Sequence, residues 1–175
     1  MTRRAMTLFS AFLLSASLAA GPVAGPATAQ DETASPDSLR ETYGPWVVSC
    51  GPARTGCHMF QALRRTKDGA RLVQVTVFAP AEGSQQMRAL VPLGAKIAAG
   101  AVLQVDKIAP QTVPIDACWQ RGCVAELALD SELEDRLRAG KTLAVSVVGA
   151  DTGRTIRFEL ALKGFSAALD RLNEL

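Results

Sequence analysis

The stretch WVVSCGPARTGCHMF contains Cys50, Cys57 and His58, and His58 is the only histidine of the chain. Thiols and imidazole are ligands of zinc, and the same groups serve redox and nucleophilic chemistry. A second cysteine pair, Cys118 and Cys123, lies further along the chain. The first question is therefore whether these residues form a metal site, a redox site or two disulfides.

The spacing of the cysteines argues against metal and redox chemistry. The two pairs have the forms C-x6-C and C-x4-C. Structural zinc sites use ligands separated by two to four residues, so only the second pair comes near the pattern. A thioredoxin-like pair needs C-x-x-C at a helix N-terminus, which neither pair has. We therefore predict no metal site, no catalytic disulfide exchange and no cofactor.

Two disulfides are the interpretation that we favour. Four cysteines allow three pairings. Opposed residues of antiparallel strands have Cα atoms about 4.5–5.5 Å apart, a distance that a disulfide accepts. We favour the pairing of sequence neighbours, since each pair closes a short loop between two strand-like segments: Cys50 with Cys57, and Cys118 with Cys123.

The alternation of side chains along a strand separates the histidine from the sulfur atoms. Trp46, Val48 and Cys50 share one face of their strand, and Cys57 must lie on the same face to reach Cys50. His58 follows Cys57 directly and therefore points to the opposite face. The imidazole and its neighbour's sulfur are then badly placed to bind one metal ion.

Nucleophilic catalysis is poorly supported by the sequence. His58 is the only histidine available to a catalytic triad, and the adjacent Cys57 is predicted to be oxidised. The segment GFSAA resembles the G-x-S-x-G elbow of hydrolases, but Ala168 replaces the second glycine and no histidine follows it. Glycine-rich phosphate loops are absent from the sequence. We predict that the protein is not an enzyme and has no catalytic residues, with a hydrolase as the third and least favoured function.

The loop CWQRGC is a candidate for partner binding. Gly122 can adopt the backbone conformation of a tight turn, which leaves Trp119, Gln120 and Arg121 displayed at its tip. Trp and Arg are enriched at binding hot spots, and a disulfide would hold them in place before binding. The alternative is that Trp119 folds back onto the sheet edge and covers the core. The basic hairpin tip RRTKDGAR, residues 64–71, either meets anionic surfaces or is a soluble turn.

The first part of the chain has the form of an export signal. A positive start is followed by about thirteen apolar residues, fewer than the roughly 20 that span a bilayer, and by a small-x-small cleavage site. We predict a secretory signal peptide over residues 1–29, a flexible leader over residues 30–42 and a single domain over residues 43–175. The mature protein is then periplasmic or secreted, without an integral membrane segment.

The charge of the mature chain argues against nucleic-acid binding. The full chain has 19 basic and 17 acidic residues, and the predicted signal peptide removes two arginines and no acidic residue, so the mature net charge is about zero. A nucleic-acid partner would require a concentrated basic face. We therefore predict that the protein has no nucleic-acid partner.

The repeated short apolar segments predict a sandwich or barrel of eight or nine antiparallel strands. Two helices are expected, over about residues 131–139 and 165–173. The first has Ser131 three residues before Glu134, which is the pattern of a capping box. The predicted strands are residues 45–50, 57–64, 71–79, 87–93, 101–106, 112–118, 123–129, 142–149 and 155–162.

Several segments together resemble one known family. YGPWVVSC, GCHMFQAL, ALVPLGAKIAAGAVLQVD, CWQRGCVAELALD, LRAGKTLAVSV and LKGFSAALDRL are similar to the invasion-associated locus B (IalB) family of exported alphaproteobacterial proteins. The resemblance runs from about Tyr43 to Leu172. Its landmarks are an aromatic-Gly-x-Trp opening, the two cysteine pairs, a VPLG turn and a KGF segment before the last helix.

The resemblance implies an immunoglobulin-like β-sandwich, export and, for some relatives, a part in entry into host cells. It implies no enzymatic activity and supplies no catalytic residues. We therefore expect an exported, non-enzymatic protein that binds a protein or cell-surface partner and contributes to host-cell interaction or invasion. The alternative is a periplasmic envelope stress or assembly factor.

Overall fold

A computed structural model describes residues 38–78 and 85–175. The predicted signal peptide and the first part of the predicted leader lie outside the described residues. Within the described ranges the chain forms eleven β-strands and two α-helices. The strands are β1 (Leu39–Tyr43), β2 (Trp46–Cys50), β3 (His58–Arg64), β4 (Arg71–Phe78), β5 (Gln86–Val91), β6 (Ala101–Val105), β7 (Gln111–Val113), β8 (Ala117–Trp119), β9 (Gly122–Ala128), β10 (Thr142–Val148) and β11 (Thr155–Ala161); the helices are α1 (Ser131–Ala139) and α2 (Phe165–Asn173).

The strands form two antiparallel sheets. One has seven strands in the order β1-β2-β3-β4-β5-β9-β8, and the other has four in the order β11-β10-β6-β7. Five successive strands therefore lie side by side in the larger sheet, with more local connections than the Greek key of immunoglobulin domains. Buried side chains from both sheets and both helices form one hydrophobic cluster. The prediction of a mainly β fold with two short helices is confirmed.

The two α-helices begin and end where the sequence predicted, but the cap of α1 lies one residue earlier. Asp130, not Ser131, is the N-cap, and its Oδ1 accepts a hydrogen bond from the backbone N–H of Leu133 at 2.8 Å. Glu134 pairs instead with Arg138 one turn further on, at 2.7 Å. The capping-box prediction was wrong because an aspartate directly before the serine competes for the same role. Neither helix is long and apolar enough to cross a membrane.

Strand β1 corrects the boundary of the predicted leader. Residues 39–42 pair with β2 through a tight hairpin in which Tyr43 opposes Trp46. Leu39 and Tyr43 are partly buried against the core, while Arg40 and Thr42 alternate with them. The alternation was hidden because an edge strand needs few apolar residues when only one of its faces meets the core.

Another correction concerns the predicted strand over residues 112–118. Its first part is β7 in the smaller sheet and its last part is β8 in the larger one. Pro114 separates them, since proline has no N–H to continue a strand ladder. This division, together with β1, accounts for the difference between nine predicted strands and eleven observed ones.

The Trp46 corner, which consists of Trp46, Ala161, Gly164 and Phe165, joins α2 to the larger sheet. The Trp46 ring is fully buried and meets the Phe165 ring edge-on, with 5.1 Å between centroids. Its Nε1–H donates to the carbonyl oxygen of Ala161 at 3.0 Å. Gly164 has φ +86°, and a Cβ there would lie 2.2 Å from the carbonyl oxygen of Tyr43. The aromatic-Gly-x-Trp and KGF segments are therefore in direct contact.

Candidate functional site

Both cysteine pairs are disulfides in the structure. Cys50 is bonded to Cys57 and Cys118 to Cys123, with Cα separations of 4.1 and 3.9 Å. Three of the four cysteines are buried, and Cys118 is exposed. Within residues 38–78 and 85–175, no group of three His, Cys, Asp or Glu side chains is arranged to hold a metal ion.

His58 lies on the face of the sheet opposite the sulfur atoms. Its neighbour Met59 is fully buried in the core, whereas His58 is only half-buried. The ring stacks on Phe60 with 5.8 Å between centroids and lies 6.1 Å from Phe78. Nδ1 is 2.9 Å from the carbonyl oxygen of Gly56. The histidine is thus part of an aromatic patch on the outer face of the seven-stranded sheet.

The second disulfide closes a tight hairpin that displays Trp119. Cys118 opposes Cys123 and Trp119 opposes Gly122, so Gln120 and Arg121 form the turn. Gly122 has φ +135°, and a Cβ there would lie 2.5 Å from the carbonyl oxygen of Val91. Only glycine fits this combination of backbone angle and close approach. Trp119 is 62% exposed and does not cover the core.

Trp119 stands beside a cavity on the outer face of the larger sheet, which we call the Trp119 groove. On β4, Val73, Val75 and Val77 are fully buried, so the intervening side chains point outward into the groove. The cavity measures about 370 Å³. The residues lining the Trp119 groove are His58, Arg71, Gln74, Thr76, Phe78, Arg88, Leu90, Trp119, Arg121, Gly122 and Val124.

Arg71 joins the basic hairpin tip to the disulfide loop. Its Nη2–H donates to the carbonyl oxygen of Arg121 at 3.0 Å, across 50 positions of sequence. The pKa of Arg71 is lowered by partial burial and by the positive charges of Arg121 and Arg64. None of the eight ion pairs between described residues includes any of these three arginines. The two segments that the sequence suggested separately therefore form one positively charged end of the groove.

The other end of the groove is neutral and aromatic. The Arg88 guanidinium lies over the Phe78 ring, 4.7 Å from its centroid, and forms an ion pair with Glu126 on β9. Leu90 opposes Val124 across the β5–β9 pair and supplies an apolar floor. The groove thus offers unpaired guanidinium groups next to aromatic and aliphatic surface, which is an arrangement for binding.

A larger open cavity of about 800 Å³ lies beside β6, β10 and β11. Part of its charge is compensated within the protein. Asp106 accepts hydrogen bonds from the backbone N–H groups of Lys141 and Thr142, and Arg157 pairs with Glu159. The Trp119 groove is the better candidate because it combines an exposed aromatic ring with two arginines, Arg71 and Arg121, that have no carboxylate partner among the described residues.

The sequence prediction missed the part of the site formed by β3, β4 and β5. His58, Phe78, Arg88 and Leu90 line the groove, but none of them was predicted as a contact residue. Their signal is the alternation in each strand, in which aromatic, cationic and aliphatic side chains occupy the positions between core residues. Alternation indicates the face on which a side chain lies, but it does not identify the neighbouring strand.

Comparison with known proteins gives consistent results. Residues 46–173 match the family model described as "Invasion associated locus B (IalB) protein". The chain is 31% identical to an invasion protein B homolog of Brucella abortus (strain 2308) over 140 residues, which are 79% of this chain and 81% of the relative. It is also 31% identical to invasion protein B of Bartonella bacilliformis, over 99% of this chain and 98% of the relative.

A solved structure has the same fold. The crystal structure of invasion associated protein B from Bartonella henselae superposes with a TM-score of 0.69 at 31% sequence identity. The similarity covers 77% of this chain and 96% of the solved chain.

Proposed function

The chain belongs to the invasion-associated locus B family, and we propose that it is an exported, non-enzymatic protein that binds a partner through the Trp119 groove. The partner that we propose is a protein on the surface of a host cell. The support for a host-cell partner is that the Brucella and Bartonella relatives are named as invasion proteins.

The observation that carries the proposal is the exposure of Trp119. A tryptophan that is 62% exposed contributes nothing comparable to a buried ring in the core, and it lies beside a cavity of about 370 Å³. Exposed aromatic and arginine side chains around a pocket are typical of binding hot spots. The Cys118–Cys123 disulfide holds the loop in place, which lowers the entropic cost of binding.

The disulfides also support the proposed location. Two disulfides in a domain of this size are typical of proteins in the periplasm or outside the cell, where no glutathione pool reduces them. Export by a signal peptide over residues 1–29 stays a prediction.

The experiment compares capture by three forms of the purified exported protein: wild type, Trp119→Ala and Ile156→Ala. Ile156 is a matched control, since it is a 43% exposed apolar side chain on the other sheet. Each form is immobilised and offered host-cell surface proteins and bacterial envelope extract in parallel. We expect wild type and Ile156→Ala to retain the same host-surface protein and Trp119→Ala to lose it.

Each part of the proposal has an outcome that contradicts it. Capture of envelope proteins alone would replace the host-binding role with the envelope assembly role. Capture that is unaffected by Trp119→Ala would remove the groove from the interaction. A hydrolytic activity that disappeared in His58→Ala would contradict the non-enzymatic assignment.

A further inference from the structure

We propose that the Trp119 groove binds an acidic peptide segment, whose carboxylates pair with Arg71 and Arg121 while a neighbouring apolar side chain contacts Trp119 and Leu90. The inference rests on the proposed binding function and names the chemistry of the bound segment.

The Arg71 guanidinium is held in place with most of its donors free. Its Nη2 donates to the carbonyl oxygen of Arg121 at 3.0 Å, and its Nη1 donates to Oε1 of Gln74 at 3.4 Å. A guanidinium has five N–H donors, so three remain for an external acceptor. A carboxylate accepts two parallel hydrogen bonds from such a group. The fixed orientation means that little side-chain entropy is lost when the carboxylate binds.

Arg121 adds a second positive charge beside Arg71. Its side chain is exposed and has no hydrogen bond or ion pair within the described part of the chain. Arg64, on the opposing strand, donates to the carbonyl oxygen of Gly69 and to no other described side chain or carbonyl. Three positive charges without an internal carboxylate partner repel one another, and a bound anion relieves that repulsion.

The apolar part of the groove requires more than a bare anion. Trp119, Leu90 and Val124 lie on the same outer face, since Leu90 opposes Val124 and Trp119 opposes Gly122 in adjacent strand pairs. Exposed apolar surface next to the arginines is covered when an aromatic or aliphatic side chain accompanies the carboxylate. A cavity of about 370 Å³ lies within the usual range for small binding pockets, so a short segment suffices to fill it.

Acidic residues at the border of the groove disfavour a long polyanion. Glu126 pairs with Arg88, and Asp116 accepts a hydrogen bond from the backbone N–H of Glu126 at 3.1 Å. A continuous phosphate backbone or an anionic membrane would meet these carboxylates as well as the arginines. A short peptide with two or three carboxylates can meet the positive end alone.

The test uses three peptides and the fluorescence of Trp119. The chain has two tryptophans and Trp46 is fully buried, so a peptide without tryptophan that enters the groove changes the emission of Trp119. The peptides are GEFEFEG, its neutral analogue GQFQFQG and its analogue without aromatic rings GEAEAEG. We expect GEFEFEG to bind at least about tenfold more tightly than either analogue, because each loses one class of contact.

Protein variants locate the contact. Arg71→Gln and Arg121→Gln should each weaken GEFEFEG binding about tenfold, and the control Arg154→Gln should leave it unchanged. Arg154 carries the same charge but lies in a turn of the other sheet. Because the exposed Arg121 side chain has no hydrogen bond or ion pair among the described residues, we expect Arg121→Gln to remain folded, and its unfolding curve is measured beside the binding. Raising the salt concentration from about 0.05 M to about 0.5 M should weaken binding through screening.

Equal binding of GEFEFEG and GQFQFQG, or equal binding by wild type and Arg71→Gln, would overturn the inference. Vesicles containing phosphatidylserine provide the other arm: if they bind in an Arg71-dependent manner and GEFEFEG does not, the ligand is a membrane surface. Failure of the peptide together with Trp119-dependent capture of a host protein would reject only the acidic ligand. Failure of both would reject the proposed function as well.

Discussion

The two tryptophans of the chain show how one residue type serves stability in one region and recognition in another. Trp46 is fully buried, donates its Nε1–H to Ala161 and meets Phe165. Trp119 is 62% exposed and lines a cavity. Each lies in a strand that contains a disulfide-bonded cysteine, Cys50 in β2 and Cys118 in β8. The difference lies in the face on which the ring lies: core in one case, solvent in the other.

The arginines of the two regions differ in the same way. Near the Trp46 corner, Arg171 of α2 pairs with both carboxylate oxygens of Glu41, at 2.8 and 3.1 Å, and its pKa is raised by that carboxylate. In the Trp119 groove the pKa of Arg71 is lowered by partial burial and by neighbouring positive charge. The Glu41–Arg171 pair near the corner is satisfied internally, whereas Arg71 and Arg121 of the groove have no carboxylate partner among the described residues. This contrast predicts separable effects on stability and on binding.

The largest effect is expected when the tryptophans are exchanged for alanine. Trp46→Ala should lower the free energy of unfolding by about 3–5 kcal/mol, because it opens a cavity beside Phe165 and leaves the Ala161 carbonyl without its donor. Trp119→Ala should change it by less than about 0.5 kcal/mol. Urea unfolding followed by circular dichroism measures both. Equal losses in the two variants would break the comparison.

A smaller effect is expected from removal of each disulfide. Replacing both cysteines of a pair by alanine should cost about 2 kcal/mol in either case, because each bond closes a short loop. The two disulfide variants should differ in their affinity for the partner. Without Cys118–Cys123 the Trp119 loop is no longer pre-organised, so affinity for the captured partner should fall, whereas loss of Cys50–Cys57 should leave it unchanged in the folded protein. Calorimetric titration at a temperature where both variants are folded checks this, and a similar loss of affinity in both would contradict it.

Local patterns predicted much of the fold. Strand alternation placed His58 on the face opposite the Cys50–Cys57 disulfide, and the apolar spacing predicted residues 131–139 and 165–173 as helices. Both features depend on residues that are close in sequence, so a segment of about ten residues is enough to predict them. The edge strand β1 was missed since it buries little apolar surface and its stability comes from pairing with β2.

The groove could not be assembled from the sequence because it depends on strand order. The disulfide loop was identified, but its neighbours follow from the pairing of β9 with β5 and of β5 with β4. That order brings Arg71 to Arg121 across 50 positions. The chain likewise changes sheet at Pro114 because β7 pairs with β6 in the smaller sheet and β8 pairs with β9 in the larger one. The sequence therefore identified the disulfide loop and the basic hairpin tip, but not the strands that join them into one groove.

The smallest effect concerns the Glu41–Arg171 ion pair near the Trp46 corner, and it depends on pH. The pKa of Glu41 is lowered from its ordinary value of 4.5, first by the hydrogen bond from Arg171 and then by that from Tyr43. A carboxyl with a lowered folded pKa contributes stability above the unfolded pKa and loses it as pH falls through the folded value. Wild type should therefore be more stable than Glu41→Gln at pH 7, and the difference should shrink as the pH falls below 4.5. Urea unfolding at pH 7 and at about pH 3 measures the difference, with Glu159→Gln, an exposed carboxylate of β11, as the control. A difference that stayed constant across this range would show that the Glu41–Arg171 pair does not stabilise the corner, and the contrast with the unpaired arginines of the groove would then rest on the tryptophans alone.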